Sequence, residues 1–255
     1  MPIADLRLDG KVAIVTGGSR GIGRSIALGL AEAGADVAIA ARKPEALAEA
    51  AAAVRALGRR AFPVPTNVRR MEDLRNLVDT TRRELGRVDI LVNNAGTNPV
   101  FGPVQEIDER AWDLIMNTNV KSMFFLSVLA REAMLLHGEG GSIVNVSSIG
   151  GLQASDAIGG YSISKASVIM LTQVLAKQWG RDGIRVNCIA PGLIRTEFSR
   201  VLWEDEGIAR EAVQTAALRR IGEPDEMAGA VVYFASPAAS FTTGQTLVID
   251  GGRLL

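Results

Sequence analysis

The chain has 255 residues, 47% of them hydrophobic, and its 28 basic and 28 acidic residues give a formal net charge of +0. This length suits one large domain or two small ones with a sizeable core, and the balanced charge gives no sign of a nucleic-acid or membrane partner. One cysteine and one histidine are too few for an internal disulfide, a typical zinc site or a Ser-His-Asp triad, so we expect no metal. The sequence has neither a signal-peptide core nor an apolar run long enough to span a membrane, which favours a cytoplasmic location.

Short apolar runs alternate with longer helical patterns from end to end. Strands are predicted near residues 11–16, 36–41, 60–65, 88–93, 142–147, 184–189 and 245–250. Helices are predicted near residues 22–33, 44–57, 71–85, 108–136, 161–180 and 224–236. This alternation predicts an α/β fold, a doubly wound, Rossmann-like three-layer sandwich of about seven parallel strands with helices on both faces.

No linker, repeat or change of composition divides the chain, so a single domain over residues 1–255 is the simplest interpretation. The stretch 192–217 interrupts the alternation of strands and helices and carries apolar side chains among charged ones. We expect it to form a helical substrate flap over the C-terminal edge of the sheet.

A glycine-rich segment, TGGSRGIG at residues 16–23, joins the first predicted strand to the first predicted helix. Glycines let the backbone turn tightly and approach a pyrophosphate, and a helix N-terminus offers free N–H groups and a positive dipole end. The spacing Gly-x-x-x-Gly-x-Gly differs from the commoner Gly-x-Gly-x-x-Gly, and an ordinary glycine-rich turn is the alternative interpretation.

Tyr161 and Lys165 open a predicted helix and lie one turn apart on the same face. A nearby ammonium lowers the pKa of a tyrosine from about 10, so the two residues could form a general acid/base pair; the alternative is a surface pair sharing a helix face. Ser148 ends a predicted strand, where parallel sheets place their ligand crevice. Asn119 lies in an apolar helical pattern, where a buried amide needs hydrogen-bond partners.

Six motifs in order resemble the short-chain dehydrogenase/reductase family over nearly the whole chain. They are Thr-Gly-x-x-x-Gly-Ile-Gly at 16–23, Asn-Asn-Ala-Gly at 93–96, Asn119, Ser148, Tyr161-x-x-x-Lys165 and Pro191-Gly192. Such an ordered set is far more specific than any single motif.

The resemblance implies a role for each matching polar residue. Tyr161 would exchange a proton with the substrate oxygen, and Lys165 would lower the pKa of Tyr161 and hydrogen-bond the nicotinamide ribose. Ser148 would hydrogen-bond the substrate oxygen, with Ser147 as a bystander, and Asn119 would hold a water in a proton relay. The implied cofactor-binding positions are Gly17, Ser19, Arg20, Gly21, Ile22, Gly23, Arg42, Asn67, Val68, Asn94, Ala95, Gly96, Tyr161, Lys165, Pro191, Gly192, Ile194 and Thr196.

Charge at the end of the second predicted strand indicates which nicotinamide is bound. Family members that prefer NAD carry an acid there, but this chain has Ala41 followed by Arg42. Together with Arg20 in the glycine turn, Arg42 could grip a 2′-phosphate by bidentate hydrogen bonds, which predicts NADP(H). Asn67 stands where many relatives have aspartate, and its amide oxygen could still accept a hydrogen bond from the adenine amine.

Apolar residues dominate the expected substrate wall, namely Leu152, Ile158, Leu193, Phe198 and Trp203. They predict reversible reduction of a ketone or aldehyde carbonyl, and the segments 98–102 and 198–203 resemble the carbonyl-reductase branch related to dehydrogenase/reductase member 4. A 3-oxoacyl-[acyl-carrier-protein] reductase is the alternative, although residues 137–140 lack the basic surface that an acidic carrier needs. A non-catalytic NADP-binding sensor or scaffold is a more distant alternative.

The predicted helices 108–136 and 161–180 are apolar over more of their circumference than one sheet face can cover. The apolar residues in question are Met116, Val120, Phe124, Leu126, Ile163, Val168, Met170 and Leu175. We therefore expect these helices to pair between subunits in a symmetric dimer, within the homotetramer (a dimer of dimers) that the resemblance implies.

Overall fold

The secondary structure follows the predicted alternation closely. The computed structural model describes residues 5–255, so residues 1–4 of the predicted domain lie outside the described part. The strands are β1 Val12–Thr16, β2 Asp36–Ala41, β3 Ala61–Pro65, β4 Ile90–Asn93, β5 Gly141–Val146, β6 Ile184–Pro191 and β7 Thr246–Ile249. The α-helices are α1 Gly21–Glu32, α2 Pro44–Ala56, α3 Met71–Leu85, α4 Glu109–Met116, α5 Ser122–Leu135, α6 Gly159–Trp179, α7 Arg200–Glu204, α8 Glu206–Thr215 and α9 Ala228–Ala235.

The strands over residues 5–255 form one seven-stranded sheet in the order β3-β2-β1-β4-β5-β6-β7, and every neighbouring pair is parallel. The direction of winding reverses between β1 and β4. A crevice opens outside the carboxyl ends of the strands at such a switch point, and ligands bind there in open α/β sheets. The doubly wound α/β fold predicted from the sequence is confirmed.

Two apolar cores cover the two faces of the sheet, which explains why the strands are almost continuously hydrophobic. Helices α1, α2 and α9 pack on one face, where Leu30 and Leu47 are fully buried. Helices α3, α5 and α6 pack on the other, with Leu77 and Leu175 in its core. Within residues 5–255, no helix combines the length and hydrophobicity needed to cross a bilayer.

The helix predicted over 108–136 is interrupted. A π-helical turn at Asn117–Lys121 separates α4 from α5. Asn119 lies inside this turn and is fully buried. Such π-bulges insert an extra residue into a helix and frequently mark functional sites, but hydrophobic periodicity does not report them. The prediction of one uninterrupted helix over residues 108–136 was therefore wrong at this turn.

The apolar surface of α5 and α6 is smaller than the sequence predicted. Leu126, Val168 and Leu175 are at most 1% exposed because they pack into the subunit's own core. Phe124 and Met170, in contrast, are 40% and 58% exposed. The outward-facing remainder, also including Ile163 and Val174, is still a sizeable apolar surface on two neighbouring helices.

The stretch 192–217 contains two short helices, α7 and α8, and its base is tied to the loop that follows it. The backbone N–H of Arg195 donates to the carbonyl of Gly222 at 2.8 Å, and the N–H of Gly222 donates back to Leu193 at 3.1 Å. The base of this segment is therefore fixed, while α7 and α8 project beyond it.

Candidate active site

A cleft of about 1520 Å³ lies at the carboxyl ends of the strands, at the switch point between β1 and β4. All the predicted cofactor-binding residues line it, as do Ser148, Tyr161 and Lys165. Asn119 is the exception among the predicted site residues, because its side chain is completely buried behind the cleft wall. The fold therefore brings residues from distant parts of the sequence together around one crevice.

The glycine-rich turn is packed so closely that side chains could not replace its glycines. Gly17 and Gly21 have φ angles of +64° and +52°, in the left-handed region that favours glycine. A Cβ on Gly23 would lie 2.3 Å from the carbonyl oxygen of Gly17. Arg20 precedes α1 without a side-chain cap, and the first turn of α1 contains no acidic residue. The N-terminal N–H groups of α1 thus fit an anionic ligand such as a pyrophosphate.

Asn94 and Thr16 hold this turn against the end of β4. The Nδ2 of Asn94 donates to the carbonyls of Thr16 and Gly17, at 2.8 and 3.3 Å. The hydroxyl of Thr16 accepts the backbone N–H groups of Asn94 and Ala95 and donates to Val92. In this structure Asn94 therefore supports the glycine-rich turn through its own side chain.

Positive charge surrounds the end of the cleft formed by residues 17–69. The basic lining residues there are Arg20, Arg42, Lys43 and Arg69, and none of the described residues that line this end is a carboxylate. Within residues 5–255 neither Arg20 nor Arg42 forms a salt bridge, and both side chains are exposed. Nearby, the Oδ1 of Asn67 accepts the backbone N–H of Arg69 at 3.2 Å, which occupies part of the acceptor predicted for adenine.

Tyr161 and Lys165 lie one turn apart at the start of α6. The Nζ of Lys165 donates to the carbonyl of Val146 at 2.8 Å and lies 5.4 Å from the ring centre of Tyr161. Lys165 is only 3% exposed, and this burial lowers its pKa to about 8. Lys165 thus stays mainly cationic below this pH.

The pKa of Tyr161 moves in the opposite direction to the one predicted. Burial raises it to about 12, and a hydrogen bond with Ser148 opposes this only in part. The predicted lowering by Lys165 is not found, because desolvation of the phenolate outweighs every other influence on this group. Tyr161 consequently holds its proton at neutral pH and can act as a proton donor.

The two serines at the end of β5 have different surroundings. Ser147 is 3% exposed, and its hydroxyl donates to the carbonyl of Lys165 at 2.7 Å, where it anchors α6. Both serines border the cleft, but Ser148 is less buried, and its Oγ accepts the backbone N–H of Gly150 at 3.1 Å. This difference supports Ser148 as the residue that faces a substrate oxygen.

Asn119 forms a closed set of hydrogen bonds behind the cleft. Its Oδ1 accepts the N–H of Thr97 at 2.8 Å, and its Nδ2 donates to the Thr97 carbonyl at 2.9 Å and to Ser164 Oγ at 3.0 Å. Both amide hydrogens are therefore already used, and the water relay through Asn119 stays a prediction. Ser164 was not singled out from the sequence, although it stands inside the Tyr-x-x-x-Lys motif.

Part of the predicted apolar wall is present at the other end of the cleft. Ile158, Leu193 and Phe198 line it, and the Phe198 ring lies 6.1 Å from that of Tyr161. Leu152 and Trp203 do not belong to the lining, contrary to expectation. The indole of Trp203 turns toward the base of the flap because its Nε1 donates to the carbonyl of Thr196 at 2.8 Å.

Charged residues in this part of the cleft were missed from the sequence. Arg253 lines it because Asp250 accepts the N–H groups of Gly252 and Leu254 and so bends the chain back toward the flap. Arg253 pairs with Glu211 of α8 at 3.5 Å. The carboxylates among the lining residues are Glu109, Asp113, Asp156, Glu197 and Glu211. Side chains at loop ends and helix starts have no periodic signal that would reveal them.

One group outside the cleft has ligand types suited to a metal. Asp89, His137 and Glu139 place one ligand atom each within 4.8 Å of one another. Arg87 already pairs with both carboxylates, at 2.6 and 2.5 Å, and Lys11 approaches Glu139 at 3.0 Å. These cations balance the negative charge that a metal would otherwise neutralise, so the group is better explained as an ion-pair network.

Comparison with known proteins agrees with this geometry. A family model described as "Enoyl-(Acyl carrier protein) reductase" matches residues 17–253. Rabbit (Oryctolagus cuniculus) dehydrogenase/reductase SDR family member 4 is 42% identical over 245 residues, covering 96% of this chain and 94% of the relative, which confirms the resemblance to that group.

Solved structures also point to the short-chain dehydrogenase/reductase family. A gluconate 5-dehydrogenase from Burkholderia cenocepacia, in complex with NADP and tartrate, is 35% identical, with a TM-score of 0.94 and coverage of 99% of this chain and 98% of that one. A 7α-hydroxysteroid dehydrogenase complexed with NADH and a 7-oxo bile acid is also 35% identical, with a TM-score of 0.93 and coverage of 97% and 96%. The chain therefore belongs to the short-chain dehydrogenase/reductase family of oxidoreductases.

Proposed function

We propose that the protein is an NADP(H)-dependent oxidoreductase that reversibly reduces the carbonyl of a free, largely apolar ketone or aldehyde to an alcohol. The observation that carries this proposal is the position of Tyr161. Its phenol keeps its proton, borders the same cleft as the glycine-rich turn, and stands between a buried ammonium and the Ser148 hydroxyl. That arrangement supplies a proton donor next to a dinucleotide-sized crevice.

The glycine-rich turn fits a dinucleotide pyrophosphate, because the backbone of the turn borders the cleft and the first N–H groups of α1 have no side-chain cap. The family relatives differ in cofactor, because one is complexed with NADP and another with NADH. The choice must therefore come from this chain's own residues. Arg20 and Arg42 favour a 2′-phosphate, and Ala41 offers no carboxylate to repel it.

Each residue around Tyr161 would have a separate task. When bound, the reduced nicotinamide supplies the hydride for the carbonyl carbon. Ser148 would donate a hydrogen bond to the carbonyl oxygen and orient it, while Tyr161 passes its proton to that oxygen as negative charge develops. The Lys165 ammonium, held in place by Val146, would stabilise this charge in a site of low dielectric constant.

A neutral substrate suits the other end of the cleft. Its wall includes Phe198, Ile158 and Leu193, which favour an aromatic or aliphatic ketone. Five carboxylates line the same part of the cleft against two arginines, Arg110 and Arg253, and Arg253 already pairs with Glu211. A carboxylate-bearing substrate such as a sugar acid would meet this negative charge, so its binding is disfavoured.

A 3-oxoacyl-[acyl-carrier-protein] reductase remains the second candidate, since the matching family model is itself described by an acyl-carrier-protein activity. An acidic carrier needs a free basic surface. Arg131 is engaged with Asp182 at 2.6 Å and stacks on Trp179, which leaves it poorly placed to receive a carrier. The non-catalytic sensor is less consistent with the intact set Asn119, Ser148, Tyr161 and Lys165.

We further propose a homotetramer in the cytoplasm. Phe124 on α5 and Ile163, Met170 and Val174 on α6 form an exposed apolar surface that a second copy could cover. Light scattering at micromolar concentration should give about four times the chain mass. A monomeric mass would contradict the assembly. The cytoplasmic location and the expectation of no nucleic-acid or membrane partner stay predictions from the sequence.

A substrate panel tests the proposed activity. NADPH oxidation would be followed with an aromatic ketone, a diketone, a sugar-acid ketone, and one 3-oxoacyl thioester attached either to a small thiol or to a carrier protein. Highest kcat/KM with the neutral free ketones supports the proposal. Highest kcat/KM with the carrier-linked thioester would move the protein to the second candidate, and turnover of the sugar-acid ketone alone would contradict the argument from cleft charge.

A further inference from the structure

Ser164 lies between the two principal site residues of α6 and is completely buried. Its Oγ donates to the backbone carbonyl of Tyr161 at 2.7 Å and accepts from the Nδ2 of Asn119 at 3.0 Å. It is thus the side chain that connects the first turn of α6 to the π-helical turn at Asn117–Lys121.

Ser164 and the backbone of Thr97 together fix the orientation of the Asn119 amide. A serine hydroxyl has one proton, and Ser164 gives it to Tyr161, so toward Asn119 it can only accept. Asn119 must therefore present its NH2 group to Ser164. Its oxygen then faces the N–H of Thr97, and its second amide hydrogen faces the Thr97 carbonyl. A flipped amide would set oxygen against oxygen and N–H against N–H.

Thr97 belongs to the loop that borders the cleft beside α6. Gly96 precedes it, and a Cβ at Gly96 would lie 3.6 Å from both Asn119 Oδ1 and Lys165 Nζ. Loop 96–97, the Asn119 amide and the Tyr161–Lys165 turn are therefore in mutual contact. A rotated Asn119 amide would lose both hydrogen bonds to Thr97 and release this loop.

We propose that Ser164 is a positioning residue that sets the Asn119 amide, and through it holds the Thr97 loop against the Tyr161–Lys165 turn. The effect on turnover rests on the proposed carbonyl reduction, whereas the effect on the loop does not. Ser167 offers a matched control. It lies three residues further along α6, and its hydroxyl also bonds a backbone carbonyl, that of Ile163 at 2.9 Å, but it has no contact with Asn119.

Hydrogen exchange tests the positioning without cofactor or substrate. The exchange rate of the Thr97 amide would be measured in the wild type, Ser164→Ala, Asn119→Ala, the double variant and Ser167→Ala. In Ser164→Ala we expect the Thr97 amide to exchange at least about tenfold faster than in the wild type, because loss of the Ser164 hydroxyl leaves one buried Nδ2 hydrogen of Asn119 unpaired. Ser167→Ala should match the wild type, and the double variant should exchange no faster than Asn119→Ala.

Kinetics give the second measurement. Ser164→Ala should lower kcat for ketone reduction about tenfold with little change in the Kd for NADPH. Ser164→Thr, which keeps the hydroxyl, should restore most of the loss, and Ser164→Ala should add nothing in the Asn119→Ala background. If Ser164→Ala does not fold, Ser164→Cys, whose side chain is slightly larger and a weaker hydrogen-bond acceptor, replaces it in both measurements.

Wild-type exchange at Thr97 in the Ser164 variant, or additive losses in the double variant, would overturn the proposal. Failure of the wild type to reduce any ketone would instead count against the proposed function. The exchange measurement would then still decide the role of Ser164, so the two failures can be told apart.

Discussion

The two sides of the cleft differ in both charge and construction. Among the described lining residues of the side formed by residues 17–69, four are basic and none is a carboxylate, and this side includes a turn whose glycines cannot accept side chains. The side formed from residue 97 onward is lined by five carboxylates and three cations, Arg110, Lys165 and Arg253, together with an apolar wall and two short helices, α7 and α8. The first is built from backbone geometry and suits an anionic, invariant ligand. The second is built from loop side chains and suits a neutral, variable one.

Lys165→Met should have the largest effect, because it removes the cation beside Tyr161, the proposed proton donor. We expect kcat to fall about 1000-fold, within the range for acid–base catalysis. The unfolding free energy should rise by about 1 kcal/mol, since a desolvated ammonium is replaced by an apolar chain. Steady-state kinetics and thermal melting measure the two effects. Lys177→Met, on the exposed last turn of α6, is the control, and lower stability of Lys165→Met would contradict the desolvation argument.

The basic side is tested by the double variant Arg20→Ala/Arg42→Ala. Each charge-assisted hydrogen bond to a phosphate contributes about 1.5–3 kcal/mol, so the preference for NADPH over NADH should fall by about 100-fold or more. The ratio of kcat/KM values for the two cofactors measures it. Arg75→Ala, exposed on α3, should leave the ratio unchanged. An unchanged ratio in the double variant would show that these arginines do not contact the 2′-phosphate.

Between the two sides lies Lys165, whose titration should be visible in the pH profile. The pKa of this buried lysine is about 8, so the cationic form is present below that pH and is lost as the pH rises through it. We expect kcat for ketone reduction to be constant near pH 6–7 and to fall about tenfold per unit well above pH 8. Lys165→Arg should shift the decline to higher pH, because arginine stays charged. A decline that does not move would assign the titration to another group.

The apolar side should give the smallest effect. Phe198→Ala removes an aromatic ring that faces Tyr161, and we expect the KM for an aromatic ketone to rise about tenfold. The Kd for NADPH, measured by nucleotide fluorescence, should not change. Val201→Ala, an exposed residue of α7 outside the cleft lining, is the control. Weaker NADPH binding in Phe198→Ala would show that the flap serves the cofactor and not the substrate.

The same difference between the sides explains what could be predicted from the sequence. Strand alternation and the glycine spacing are regular patterns, so the parallel sheet and the glycine-rich turn between β1 and α1 could be predicted from them. The π-turn around Asn119, the orientation of Trp203 and the approach of Arg253 depend on individual side-chain hydrogen bonds. Hydrophobic periodicity does not encode these contacts, and the pKa of Tyr161 depended on burial that only the folded chain defines.

The most direct test of the account is ketone-dependent NADPH oxidation by the wild type beside Tyr161→Phe and Tyr233→Phe. Tyr233 is the chain's second tyrosine, and its hydroxyl bonds Thr242 at 3.1 Å, away from the cleft lining. The account predicts turnover in the wild type and in Tyr233→Phe, and a loss of about 1000-fold in Tyr161→Phe with NADPH binding retained. Turnover in Tyr161→Phe close to that of the wild type would contradict the assignment of Tyr161 as the proton donor.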